Sequence, residues 1–131
     1  MKNKIFIFDL DDTLYKEIDF LYSAYREIAG WIELKFSLKG IYAFMLETYK
    51  EQADVFSRLI DTYDLSLTKA DLLSIYRSHR PNIRLELDTL KVLEVLKRDF
   101  TLGMITDGRS ITQRNKFQAL GLEQFIENEN L

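Results

Sequence analysis

Residues Ile5 to Leu14 read IFIFDLDDTL: four apolar residues, then carboxylates at positions 9 and 11 and a threonine at 13. Two carboxylates on a rigid strand end can divide nucleophilic, acid–base and metal-binding duties between them. In extended backbone, positions i and i+2 face the same way, so Asp9 and Asp11 are expected to project together. A second group of useful chemistry lies far downstream, where the apolar run Thr101–Thr106 (TLGMIT) is followed by Asp107 and Gly108. A hydroxyl and backbone amides at a strand-to-helix junction make a phosphate cradle, strengthened by the positive end of the following helix. A carboxylate facing a phosphate needs its charge offset, which implies a divalent cation. Mg²⁺ suits a site of few carboxylates, carbonyls and phosphate oxygens.

Both groups need strands to carry them. A strand apolar on both faces is what a buried parallel sheet uses, and Lys4–Phe8 is read as the first. Its acidic tail then falls at the carboxyl end, where open α/β sheets place ligands. After Tyr15 the spacing turns helical: Leu21, Ala24, Tyr25, Ile28, Trp31 and Ile32 form one stripe ending near Phe36. Gly40 interrupts it, and a second helix is expected from about Ile41 to Asp61. Thr68 and Asp71 resemble a capping box that opens a third, running to about Ser78 before Arg80–Pro81 breaks it. Beyond the proline, Asp88 is a candidate N-cap for a helix bearing Leu90, Leu93 and Leu96. The segment from Ser110 to Leu120 reads as a final helix, stopped by Gly121.

The order strand, helical block, helix, strand, helix predicts a crossover α/β core with an inserted all-helical cap. The expected division is a core of residues 1–15 and 81–131 with a helical cap at 16–80, the cap able to sit over the strand ends. At 131 residues the chain can bury a real core. A net charge of −3 with scattered Lys and Arg argues against a nucleic-acid footprint or an anionic-membrane patch. No run approaches a membrane span, and the amino terminus meets acid too soon for a signal peptide. With no cysteine there is no disulfide or thiolate-metal site, which is compatible with the expected cytoplasmic location.

DLDDTL after an apolar strand, with a later apolar strand ending in TDG, resembles the haloacid dehalogenase (HAD) superfamily. The helical insertion after the first motif resembles the C1-type cap of its subfamily I. The resemblance implies that Asp9 attacks phosphorus and forms an aspartyl-phosphate. It implies that Asp11 acts as general acid and then base, and that Thr106, Asp107 and Gly108 hold the phosphoryl oxygens. Mg²⁺ would sit on the Asp9 carboxylate and the Asp11 main-chain carbonyl. An acid at position 11 favours phosphatase over dehalogenase chemistry, because only an alkoxide leaving group needs a proton. The substrate class implied is a small phosphorylated metabolite.

The family pattern continues with a lysine, often before proline, and with a later strand that ends in an acidic pair. Neither follows TDG in this sequence, so the resemblance implies an α/β fold with an incomplete Rossmann-like parallel sheet core, C-terminally truncated. Lys116 is expected to face solvent, and Glu127 and Glu129 are not expected to replace the later acids. Asp12 is read as a turn-former, Tyr15 as hinge packing, and His79 as local packing or surface. An apolar first strand with an open edge would need a cover: a second copy of the chain in a homodimer, an exchanged element, or a separate polypeptide. The competing reading is a catalytically inactive, truncated HAD-like protein that dimerises or binds a partner.

Overall fold

The structure is a computed structural model and describes residues 4–127. Among the described residues it is an α/β fold, mostly helical, with two parallel strands in its sheet. Its compact units are residues up to Phe20 together with those from Arg80 onward, and Leu21–His79.

In the α/β unit, β1 (Ile5–Asp9) pairs in parallel with β2 (Thr101–Ile105), Phe8 opposite Met104 and Asp9 opposite Ile105. This register brings the carboxyl ends of both strands level. A further parallel bridge joins Leu102 to Ile126, so β2 lies between β1 and the chain at Ile126. Strand β2 is the buried one, with Leu102 and Met104 each 2% exposed. By contrast Ile5 is 68% and Ile7 55% exposed, which corrects the expectation of a buried first strand. A strand with one described neighbour has half its backbone and much of both faces uncovered, whatever its composition.

Helix α5 (Leu87–Asp99) packs on β2, and α6 (Ser110–Ala119) follows it. The flanking residue of α5 is Glu86, whose side chain caps nothing; Asp88 instead lies in the first turn. An acid favours that turn through the helix dipole as well as an N-cap position, so its presence did not locate the start. Helix α6 ends as expected, with Gly121 left-handed at φ 68° and a short 3₁₀ turn after it.

The helical unit contains most of α1 (Glu17–Phe36), then α2 (Ile41–Lys50), α3 (Val55–Tyr63) and α4 (Lys69–Ser78). The single helix expected over 41–61 is two helices. Gln52 turns left-handed at φ 60°, and Asp54 accepts from Ser57 N at 3.2 Å to start α3. The Thr68–Asp71 capping box is present in full. Ile28, Ile32, Ile41, Met45, Leu59 and Leu72 are fully buried in this unit's core. Tyr25, Phe56 and Tyr76 meet there at ring separations of 6.1 to 6.4 Å, in the tilted and edge-on range that aromatic pairs prefer. His79 is also interior. Its Nδ1 donates to the Tyr76 carbonyl at 2.8 Å, and its Nε2 is hydrogen-bonded to Ser23 Oγ at 3.1 Å.

Candidate active site at the strand ends

After Asp9 the chain turns sharply. Leu14 N donates to Leu10 O at 3.0 Å, and Asp12 adopts a left-handed φ of 60°. Leu10, Leu14 and Tyr15 are buried and anchor this loop in the α/β core. Asp12 accepts from Glu17 N at 2.9 Å, tying the turn to the start of α1 as a turn-former does. Asp9 is exposed at the strand end, with Oδ1 accepting from Leu10 N at 2.9 Å.

The strand ends at Asp9, so Asp11 does not continue its two-residue alternation. Its carboxylate is enclosed by three donors. Tyr15 Oη at 2.7 Å and Lys116 Nζ at 2.8 Å donate to Oδ1, while Gln113 Nε2 donates to Oδ2 at 3.0 Å. Burial pushes the Asp11 carboxyl up. The hydrogen bonds from Lys116, Tyr15 and Gln113, with the Lys116 charge, outweigh that and hold it below the usual carboxylate range.

This placement corrects the expectation for Lys116. The residue is 4% exposed, and its ammonium lies 4.5 Å from the centre of the Phe20 ring and 5.7 Å from that of Tyr15. Thr112, Gln113, Lys116 and Phe117 form the buried face of α6, so the lysine points inward with the phenylalanine beside it. A signal was present in the sequence: Phe117 and Leu120 mark that face, and Gln113 and Lys116 fall on it one turn apart. Lysines are so seldom buried unpaired that the solvent reading was the natural default.

At the end of β2, Thr106 Oγ1 is hydrogen-bonded to Gln113 Nε2. Gln113 therefore touches both strand-end groups. Thr106 and Asp107 line a shallow concavity of about 210 Å³ together with Ile7, Phe8, Asp9 and Ile105. Gly108 follows at the approach to α6, whose first turn has no side-chain cap. A larger concavity of about 310 Å³ lies at the opposite end of β2, lined by Thr101, Leu102 and Phe125 among others. Ligand sites of parallel sheets belong at the carboxyl ends, which favours the smaller one.

The Asp9 carboxylate and the Asp11 main-chain carbonyl are donors of the kind Mg²⁺ accepts, and would need water and phosphate oxygens to complete its shell. Among the described residues no group of three or more His, Cys, Asp or Glu side chains is placed to hold a metal. Glu129 lies outside the described residues, and Glu127 is exposed beside the opposite concavity. Also among the described residues, no helix is long and apolar enough to cross a membrane.

Comparison with known proteins finds likenesses over most of the chain. A glyceraldehyde 3-phosphate phosphatase of Methanocaldococcus jannaschii is 27% identical over 134 residues, an alignment covering 93% of this chain and 59% of the relative. The magnesium-bound structure of the HAD-family protein YfnB of Bacillus subtilis superposes with a TM-score of 0.62 at 19% identity. That match covers 97% of this chain and 62% of YfnB. The chain thus spans about three fifths of the length of these two proteins. Residues 6–128 match the haloacid dehalogenase-like hydrolase family, and the chain belongs to that family.

Proposed function

We propose that the chain carries the active site of a Mg²⁺-dependent phosphohydrolase that acts on a small phosphorylated metabolite through an aspartyl-phosphate on Asp9. The observation that supports this most is the level pairing of two strand ends, one presenting Asp9 and the other Thr106 and Asp107, around one concavity. The 27% identical relative is a phosphatase of a phosphorylated three-carbon aldehyde, which makes small sugar phosphates the first substrates to try. The same proposal takes residues 16–80, within which the compact unit Leu21–His79 falls, as the C1-type cap of a subfamily I protein.

In the proposed reaction an Asp9 oxygen attacks phosphorus, the bond to the leaving alcohol oxygen breaks, and Asp11 supplies the proton that oxygen needs. Asp11 is held ionised by Lys116, Tyr15 and Gln113, which suits the second half, where it takes a proton from the water that hydrolyses the acyl phosphate. The arriving phosphate is a like charge and pushes Asp11 towards its protonated form, which suits the first half. Thr106 and the amides after it hold the phosphoryl oxygens. Mg²⁺ on Asp9 and the Asp11 carbonyl would supply the charge neutralisation that lets a carboxylate face a phosphate.

The test is hydrolysis of an aryl phosphate with and without Mg²⁺ by the wild type and by Asp9→Asn. Activity that needs Mg²⁺ and vanishes in the variant supports the reading, and activity unchanged in Asp9→Asn refutes it. A second reading, an inactive HAD-like protein that dimerises or binds a partner, draws on the exposed Ile5, Phe6 and Ile7 of β1. It predicts a folded protein without turnover, with β1 covered by a second copy of the chain. Light scattering of the purified protein distinguishes a dimer from a monomer.

A further inference from the structure

We infer that Gln113 and Lys116 are positioning residues: they fix the Asp11 carboxylate and join it to Thr106, so that the two strand-end groups move as one unit. Their bearing on catalysis rests on the phosphohydrolase reading above. Both Asp11 oxygens are engaged from α6, Oδ1 by Lys116 at 2.8 Å and Oδ2 by Gln113 at 3.0 Å. The same Gln113 nitrogen also reaches Thr106 Oγ1. One side-chain amide therefore bridges segments about a hundred residues apart in sequence.

Two further features are hard to explain by packing alone. Gln113 is 2% exposed, and its Oε1 is buried with no hydrogen-bond partner among the described residues. An apolar side chain of that size would avoid the desolvation cost, so the amide's value lies in the two bonds its nitrogen makes. Gly108 is not left-handed, yet a Cβ there would stand 2.3 Å from Gln113 Cδ. Residue 108 must lack a side chain for Gln113 to lie where it does. The glycine of the TDG motif is thus explained by the passage of Gln113 and not by a backbone conformation. Lys116 is confined by the Phe20 and Tyr15 rings, so its ammonium has little freedom to leave Asp11.

The experiment follows the Asp11 carboxyl resonance in protein labelled with ¹³C-aspartate, assigned by its loss in Asp11→Asn. Lys116→Met is expected to move that resonance, and Lys116→Arg to return it part of the way. Thr106→Val is expected to move it in the wild-type background and to leave it unmoved in the Gln113→Met background. A resonance indifferent to Lys116→Met, or equally sensitive to Thr106→Val in both backgrounds, overturns the inference. Should Gln113→Met not fold by far-UV circular dichroism, Gly108→Ala replaces it, because the added Cβ displaces Gln113 and should cut the same coupling. Aryl phosphate hydrolysis is the second arm. Lys116→Met is expected to lower kcat roughly tenfold to a hundredfold while KM changes less than about threefold, with partial rescue by Lys116→Arg. Unchanged kcat overturns the catalytic part. If the wild type shows no hydrolysis while the resonance coupling persists, the phosphohydrolase reading fails and the positioning network stands.

Discussion

Removing the charge of Asp11 is expected to cost the fold more than removing the charge of Lys116, although the two form one ion pair. The Lys116 side chain is 5% exposed and that of Asp11 26%. Asp11→Asn leaves an ammonium whose other described neighbours include the Phe20 and Tyr15 rings. Breaking a fully buried pair costs about 3–5 kcal/mol and an exposed pair about 0–1. Since Asn can still accept one hydrogen bond from the lysine, about 2–3 kcal/mol is expected. Lys116→Met leaves a carboxylate that keeps Tyr15 and Gln113 as donors and is a quarter exposed. The methionine also packs well against the two rings, so about 1 kcal/mol is expected. The double variant removes both charges and should lose about 1.5–2 kcal/mol. That is less than the sum of the singles by about 1.5–2 kcal/mol, a coupling well above the scatter of such cycles. Urea unfolding followed by far-UV circular dichroism, for the wild type and the three variants in one buffer at neutral pH, measures each value. A coupling within about 0.5 kcal/mol of zero, or a larger loss from Lys116→Met than from Asp11→Asn, refutes the assignment of Lys116 as the buried counter-charge.

Two other predictions concern the helical unit. Burial, with the charges of Tyr49 and Asp54, pushes the Tyr25 hydroxyl up to about 12. Its folded value lies above the unfolded one of about 10, so its contribution to stability is complete below about pH 10 and is lost as the pH rises towards 12. Absorbance titration should show one tyrosine ionising late, and that step should disappear in Tyr25→Phe; an unchanged titration curve counts against the burial. Thr68→Ala removes the acceptor for Asp71 N and breaks the capping box of α4, with an expected loss of about 1 kcal/mol. Thermal melting of this variant beside Thr68→Ser, which keeps the hydroxyl, should show the loss in the alanine variant only.

The parallel pairing of the two strand ends was legible because each strand is a short apolar run with chemistry directly after it. The Thr68–Asp71 cap and the Gly121 stop were legible for a similar reason: each is a local pattern whose hydrogen bonds close within a few residues. The break at Gln52 was missed because a left-handed glutamine carries no compositional mark and the apolar spacing runs on either side of it. The company of Asp11 was missed for a different reason. Its partners Gln113 and Lys116 come from the far side of the helical insertion, and only the tertiary fold turns that face of α6 towards the loop after β1. The i, i+2 rule failed there too, since strand geometry ends at Asp9 and the tight turn redirects the second carboxylate. Asp9, Thr106 and Asp107, which sit on or directly after the strands, are where the spacing placed them.

Asp9 is the proposed nucleophile, and covalent trapping is the test that reports on it without inference from rates. The protein is incubated with a phosphorylated substrate and Mg²⁺, quenched in acid, treated with borohydride and digested for peptide mass spectrometry. Reduction is expected at Asp9 alone, dependent on substrate and absent from Asp9→Asn. Turnover of substrate with Asp9 unmodified, or with the phosphoryl group trapped on another residue, would contradict it.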